Sequence, residues 1–342
     1  MTEKDKLPSI KAKDRTCTTL LLRLVDWRYS STLQIMLISK VRSLSFGIKT
    51  LWTFTASDAY TLMPSMAVFG VVSGISGSLL TTVPETEQWS SLDVISSLPV
   101  VFGYLWINLL LFNVANQRLP ASIKEDSINK PWRPMPSQRL TQKEARVLLH
   151  AVIPVAAIIS AYTGGIQQAA IHTILSWMHN DLDGSGNPIL KNLYTTLGIV
   201  CYSSGAAAVA SSHIYSGHHG LNSLGWTWMT VIGAIILTTT HVQDFRDRKG
   251  DEATGRRTLP LVIGDSPSRW LSAVIILASS LGCSVFWQAN MAGYLVVNGM
   301  GSLLAVRLLV YRSEAADRLS WNLWPIWIIS IFIIPVLSTS SY

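Results

Sequence analysis

Long apolar runs separated by short polar segments set the pattern of this chain. Candidate membrane spans fall at residues 61–82, 94–115, 146–163, 165–180, 189–210, 224–243, 270–288, 291–311 and 321–338. A hydrocarbon core about 30 Å thick is crossed by roughly 20 helical residues, so most of these runs reach across it. Backbone inside lipid must satisfy its own hydrogen bonds, so runs of this length predict helices. The expected fold is all-α, a polytopic bundle of about nine transmembrane helices. The third and fourth runs are short and joined by Gly164-Gly165, and the count drops to eight without one of them. Ahead of the bundle, Val41, Leu44, Ile48, Leu51 and Trp52 share one helical face beside Lys40, Arg42 and Lys49. That pattern predicts an interfacial amphipathic helix over 41–58. Residues 1–60 are therefore read as a cytosolic N-terminal tail with an interfacial helix, the first thirty residues loosely ordered. Residues 61–342 are read as a single transmembrane domain.

Composition agrees with the pattern. The 342 residues are 49% hydrophobic and 14% charged, where soluble domains carry about 25% charged residues. Charge then supplies an orientation. With a cytosolic N-terminus, all 27 Lys and Arg fall in 1–60, 116–145, 244–269 and 312–320 or at helix ends on the same side. The opposing loops, 83–93 and 211–223 among them, contain none. This is the asymmetry of the positive-inside rule. Trp177, Trp226, Trp228, Trp270, Trp287 and Trp321 lie near span ends and are read as an interfacial belt. Residues 1–16 are charged without an early apolar stretch, so no signal peptide is expected. Three scattered cysteines exclude a disulfide framework or a zinc site. No nucleic-acid recognition module is present, and no obligate protein partner is evident.

The chemistry lies in two segments on one predicted face. The first, 113–137, contains Asn116, Glu125, Asp126, Asn129, Lys130 and Arg133. The second, 244–260, contains Asp244, Asp247, Arg248, Lys249, Asp251, Arg256 and Arg257. Carboxylates alone would suit a cation, and cations alone an anionic lipid. The mixture suits a metal-bridged diphosphate, since Mg²⁺ takes one or two carboxylates plus phosphate oxygens. Lys and Arg neutralise the remaining phosphate charge. Asp244, Asp247 and Asp251 stand at i, i+3 and i+7, so a continuing helix presents them on one face. Expected catalytic residues are Asp126, Asp244, Asp247 and Asp251. Expected diphosphate ligands are Asn129, Lys130, Arg133, Arg248, Lys249, Arg256 and Arg257. A transporter is the distant alternative. It would leave ionisable residues through the spans, and here they cluster at one end.

The paired segments and helix plan resemble the UbiA superfamily of intramembrane prenyltransferases, in which one Asn/Asp-rich motif follows the second helix and another the sixth. Trp132-Arg133-Pro134-Met135-Pro136-Ser137-Gln138 is the counterpart of the family's Asn-Arg-Pro-Leu-Pro-Ser-Gly. Asp244, Gly250-Asp251, Gly255 and Thr258-Leu259-Pro260 match its second motif. Glu125-Asp126 with Asn129-Lys130-Pro131-Trp132-Arg133-Pro134, and Gly255-Arg256-Arg257-Thr258-Leu259-Pro260, are similar to a fungal branch of membrane terpene cyclases. One departure stands out. The acids usual four and eight residues after Asn116 are Pro120 and Lys124 here, and Glu125 and Asp126 replace them. The resemblance implies Mg²⁺ as cofactor, held by Asn116, Glu125, Asp126, Asp244, Asp247 and Asp251. It also implies an isoprenyl diphosphate substrate, ionised at the mouth of a bundle in the lipid bilayer. Farnesyl diphosphate would be cyclised to a sesquiterpene hydrocarbon such as β-trans-bergamotene, in secondary metabolism. The alternative within the family is a prenyltransferase acting on an aromatic or polyketide-derived acceptor, with His241, His172 or Gln167-Gln168 orienting it. The expected location is the endoplasmic-reticulum membrane, mouth toward the cytosol. Tyr104, Trp106, Tyr202, Trp226 and Trp228 are the candidate aromatics of the cation-stabilising chamber.

Overall fold

The computed structural model describes the backbone of residues 31–338 and side chains from residue 44 onward. The expected tail, residues 1–30, and Val41 of the predicted apolar face lie outside the described residues or side chains. The chain divides into two compact units, residues 1–50 and 51–342. In the first unit the backbone is helical from Ser31, and Leu44 and Ile48 are exposed. This helix, α1 (Ser31–Ala59), continues into the second unit, where Phe54 and Thr55 are buried.

The second unit is all helix apart from turns and isolated bridges among the described residues. It contains α2 (Leu62–Ile75), α3 (Ser91–Gln117), α4 (Pro120–Asn129), α5 (Gln142–Thr163), α6 (Ile166–Asn180), α7 (Pro188–Ile214) and α8 (Ser223–Thr239). After these come α9 (Val242–Ala253), α10 (Leu259–Val262), α11 (Asp265–Phe286), α12 (Met291–Val310) and α13 (Glu314–Phe332). Local chemistry sets several of the boundaries. Ser90 and Asp93 form a reciprocal capping box at the start of α3, and Thr141 and Glu144 do the same for α5. Gly164, with φ of 94°, closes α5 in a left-handed conformation and separates it from α6.

α7 is the packing axis, with α2, α3, α6 and α8 all against it. Its Ser203–Ala210 segment is buried throughout and almost entirely small, the composition that lets helix backbones approach closely in lipid. A side chain at Gly70 of α2 would stand 2.7 Å from Ala206 of α7, so this crossing requires glycine. α11 packs on α12, α12 on α13, and α13 on α9 and α2, which closes the bundle.

The protein is an integral membrane protein, but nine spans are not borne out by length and hydropathy. Five helices among the described residues are long and apolar enough to cross a bilayer, and seven if each of two bent pairs counts as one span. The expected span 61–82 is α2 of only 14 residues, followed by a short 3-10 turn. The span expected at 165–180 is the 15-residue α6. The expected 321–338 begins earlier, at Glu314, and carries Asp317 and Arg318 in its first turns. The tryptophans expected to form a belt divide into two groups. Trp177, Trp226 and Trp270 are exposed, whereas Trp228, Trp287 and Trp321 are buried in the core. A tryptophan near a helix end faces lipid or protein according to its position around the helix, which proximity to the end does not specify.

Candidate active site

The first segment is not an open loop. Pro120, at the first position of α4, supplies a backbone angle suited to helix where its missing N–H costs nothing. α4 runs to Asn129 and buries Asp126. The turn that follows brings Arg133 back over the helix, where its Nη1 donates to both Asp126 oxygens at 3.0 and 3.1 Å. Arg133 Nη2 also donates to Ser57 at 2.8 Å and stands 3.7 Å from Asp58, both on α1.

The second segment is a helix, as the acid spacing predicts. α8 ends at Thr239 and α9 departs at 41° from Val242. Asp244 lies in the first turn of α9, where the helix dipole favours an acid. The helix stops in a Schellman turn. Gly255 has φ of 70°, its N–H bonds Glu252 O at 3.1 Å, and Arg256 N–H bonds Asp251 O at 2.9 Å. This reversal returns the Arg256 guanidinium to the helix, 3.5 Å from Asp251 and paired with Glu125 of α4. Gly250 makes the α4–α9 contact possible. A side chain there would lie 2.2 Å from the Asn129 amide, which donates to Asp247 O at 3.3 Å.

These elements enclose a cavity of about 160 Å³. Asn116, Glu125, Asp126, Lys130, Arg133, Asp247, Asp251 and Arg256 line it, all of them sequence candidates. Asn129 stands behind the wall, against α9. Asp244 is buried and held by Lys191 Nζ at 2.7 Å, and Lys191 itself lines the cavity. Three candidates are not brought in. Arg248 pairs with Asp265 at 3.3 Å, exposed Lys249 pairs with Glu314 at 2.7 Å, and Arg257 is exposed outside the cavity. They occupy the solvent side of α9 and its exit, where the helical period carries them away from the Asp244–Asp251 face.

Charge is balanced locally across most of the mouth. Burial tends to raise the Asp247 carboxyl, but Lys130 at 3.9 Å and Arg246 at 3.3 Å overcome it and hold it below the usual value. Burial, together with neighbouring Arg133, draws the Lys130 ammonium below the ordinary lysine value. Asp251 is the exception. It is 1% exposed, and neither carboxylate oxygen has a hydrogen-bond partner. Burial pushes it up to about 6; Lys191 opposes the rise and the nearby Asp244 and Glu125 carboxylates reinforce it. Such a group is costly unless something else completes it. Among the described residues no three acid side chains converge as a ready-made metal cluster. The orphaned oxygens of Asp251, with Glu125 and Asp244 beside it, nevertheless fit the oxygen-donor requirement of a divalent cation.

Deeper, the wall becomes apolar and aromatic, with Leu62, Leu109, Phe112, Ile199, Tyr202 and Trp321. Of the five expected chamber aromatics only Tyr202 is there. Tyr104 and Trp228 are buried in packing, Trp106 is bonded to Thr55, and Trp226 is exposed. Sequence reasoning missed Phe112, Tyr194 and Trp321 as chamber residues, along with Asp58 and Arg246 of the mouth. Phe112 lies one helical turn before Asn116, a spacing that could have flagged it. Arg246 stands 5.1 Å over Trp321, joining the charged mouth to the aromatic wall.

Comparison with known proteins identifies the family and the fold. Residues 71–329 match the UbiA prenyltransferase family model. The chain is 31% identical over 293 residues to the fumagillin beta-trans-bergamotene synthase of Aspergillus fumigatus, covering 84% of this chain and 92% of the other. It is 25% identical to the somaliensene A/B synthase of Streptomyces somaliensis, over 81% of this chain and 88% of the other. In fold it is similar to a UbiA homolog from Archaeoglobus fulgidus solved with DMAPP and Mg²⁺. The TM-score is 0.54 at 12% identity, over 84% of this chain and 99% of that one. The chain belongs to the UbiA prenyltransferase family.

Proposed function

We propose that the protein is a membrane-bound class I terpene cyclase that ionises farnesyl diphosphate and cyclises the allylic cation to a sesquiterpene hydrocarbon. One observation carries the reading: a single cavity passes from a buried mixed-charge mouth to an aromatic and aliphatic wall. The mouth suits a diphosphate and the wall suits its isoprenoid tail. Similarity to the fumagillin beta-trans-bergamotene synthase over most of both chains supports cyclisation as the outcome.

Lys130, Arg133, Lys191, Arg246 and Arg256 supply positive charge at the mouth for the departing diphosphate. Preorganised charge of this kind stabilises negative charge as it develops in the transition state. Asp251, Asp244, Asp247, Glu125, Asp126 and Asn116 are the residues that would hold Mg²⁺. A bound divalent metal neutralises phosphate oxygens and makes diphosphate a better leaving group. Phe112, Tyr202 and Trp321 offer ring faces to a passing cation, and the surrounding apolar side chains keep out the water that would quench it. A mouth on the cytosolic side of the endoplasmic-reticulum membrane belongs to the same proposal, its sidedness supported by the one-sided Lys and Arg distribution.

Membranes containing the protein, given farnesyl diphosphate and Mg²⁺ and no acceptor, are expected to release a volatile hydrocarbon detectable by gas chromatography. Prenylation seen only with an added aromatic acceptor would overturn the cyclase and establish the transferase. The family's prenyltransferase activity makes that the second reading.

A further inference from the structure

Three histidines are buried among the described residues: His172, His179 and His241. Two have partners. His241 Nε2 is hydrogen-bonded to Ser272 Oγ at 2.7 Å, and His179 Nδ1 bonds Asn180 Oδ1 at 3.0 Å. That Asn180 oxygen also accepts from Asn116 Nδ2 at 2.8 Å, so His179 is tied into the mouth. His172 differs. Two helical turns deeper on α6, it lines the cavity, is 3% exposed, and its Nδ1 has no hydrogen-bond partner. Its ring contacts Phe112 of α3 and Tyr202 of α7, with centroids 6.0 and 4.3 Å away.

A buried imidazole nitrogen without a partner costs stability, and packing alone would be served by phenylalanine or leucine. Asn108 Oδ1, Thr196 Oγ1 and Ser203 Oγ nearby also lack partners, but an amide or hydroxyl oxygen is not basic, and the remaining polar groups are bonded. Tyr202 Oη donates to Asn108 O at 3.2 Å, and Asn113 donates to Leu109 O and accepts from Gln117. His172 is therefore the basic side chain on the cavity wall with a ring nitrogen that the fold leaves unbonded, packed between Phe112 and Tyr202.

We propose that His172 is the base that ends the cyclisation. This rests on the cyclase reading above. The proton on the carbon adjacent to the final cationic centre passes to the imidazole lone pair. The C–H electron pair becomes the new C=C bond, and His172 becomes imidazolium. The Phe112 and Tyr202 rings stabilise the imidazolium as they would any cation near a ring face. The imidazolium returns its proton to the departing diphosphate, which restores the neutral base.

The test separates ionisation from deprotonation. In His172→Phe, diphosphate release stays within about threefold of wild type, while hydrocarbon formation falls about a hundredfold, the low end for loss of a positioned base. The missing product appears as alcohol from water capture of the cation. His172→Asn, which keeps a polar side chain of smaller volume, is read in the same way where the phenylalanine variant does not accumulate. A hydrocarbon yield and product profile matching wild type in either variant would overturn the assignment. So would an equal loss of diphosphate release and hydrocarbon in a variant that accumulates normally. Failure of the wild-type protein itself to make hydrocarbon would instead overturn the cyclase reading.

Discussion

Two buried ionic clusters lie a few helices apart and are built on opposite terms. Where α11, α12 and α13 meet, Arg269 is 1% exposed and fully engaged. It holds Asp317 with two bonds of 2.7 and 2.8 Å, Asp265 at 2.9 Å and Leu308 O at 3.2 Å, and it lies 4.3 Å over the Phe245 ring. At the mouth between α4 and α9, the Asp251 carboxylate is just as buried and makes no hydrogen bond, only an ion contact of 3.5 Å with Arg256. The first cluster is complete, as a structural ion pair must be to offset its desolvation. The second leaves donors and acceptors over, as a site must if a ligand is to complete it. Buried charge alone therefore does not mark the candidate site here; buried charge without hydrogen-bond partners does.

The largest effect should come from emptying the incomplete cluster. Asp251→Ala is expected to cut turnover by about a thousandfold or more, the upper range for loss of an electrostatic contributor. Its thermal unfolding in detergent should match or exceed wild type, because a buried acid without hydrogen bonds has gone and Arg256 keeps its pairing with Glu125. A drop in unfolding temperature with turnover kept would erase the distinction between the two clusters. Stripping divalent metal with a chelator should produce the same loss of product, reversed by added Mg²⁺. The complete cluster should answer in the other direction. Arg269→Met strands Asp317 and is expected to cost about 3–5 kcal/mol of stability. It should lower membrane yield and unfolding temperature while the surviving folded protein turns over normally.

A smaller effect is expected at the α4–α9 contact. Gly250→Ala displaces the Asn129 amide and should lower turnover by about tenfold, equivalent to about 1.4 kcal/mol of barrier. Stability should move by no more than about 1 kcal/mol, since alanine favours the helix that the clash disfavours. Smallest of all, Arg248→Ala, Lys249→Ala and Arg257→Ala should change turnover by less than about twofold. The ion pairs of Arg248 and Lys249 lie at the solvent-exposed surface, where such pairs contribute about 0–1 kcal/mol. A large loss in any of the three would mean that substrate draws the outer face of α9 into the site.

Much of the site was legible in the chain. Asp244, Asp247 and Asp251 at helical spacing fall on a helix because period and packing agree there. Glu125, Asp126 and Arg133 reach the same cavity from a separate segment. The misassignments share a cause. Spacing states that residues share a face but not which face is enclosed, so the sequence offered Arg248 and Lys249 and passed over Arg246, which lines the cavity beside α13. The aromatics failed in the same way: Tyr104 and Tyr202 both sit in apolar helices, and only helix rotation separates packing from chamber.

Hydrophobic runs, charge asymmetry and the two motifs, all local properties, determined the membrane class, the helical fold and the residues from which the site is drawn. Tertiary structure decided which of them are sealed together. Burial by neighbours removes water, and only then do the unbonded Asp251 carboxylate and His172 Nδ1 stand out as the candidates for a metal ligand and a base.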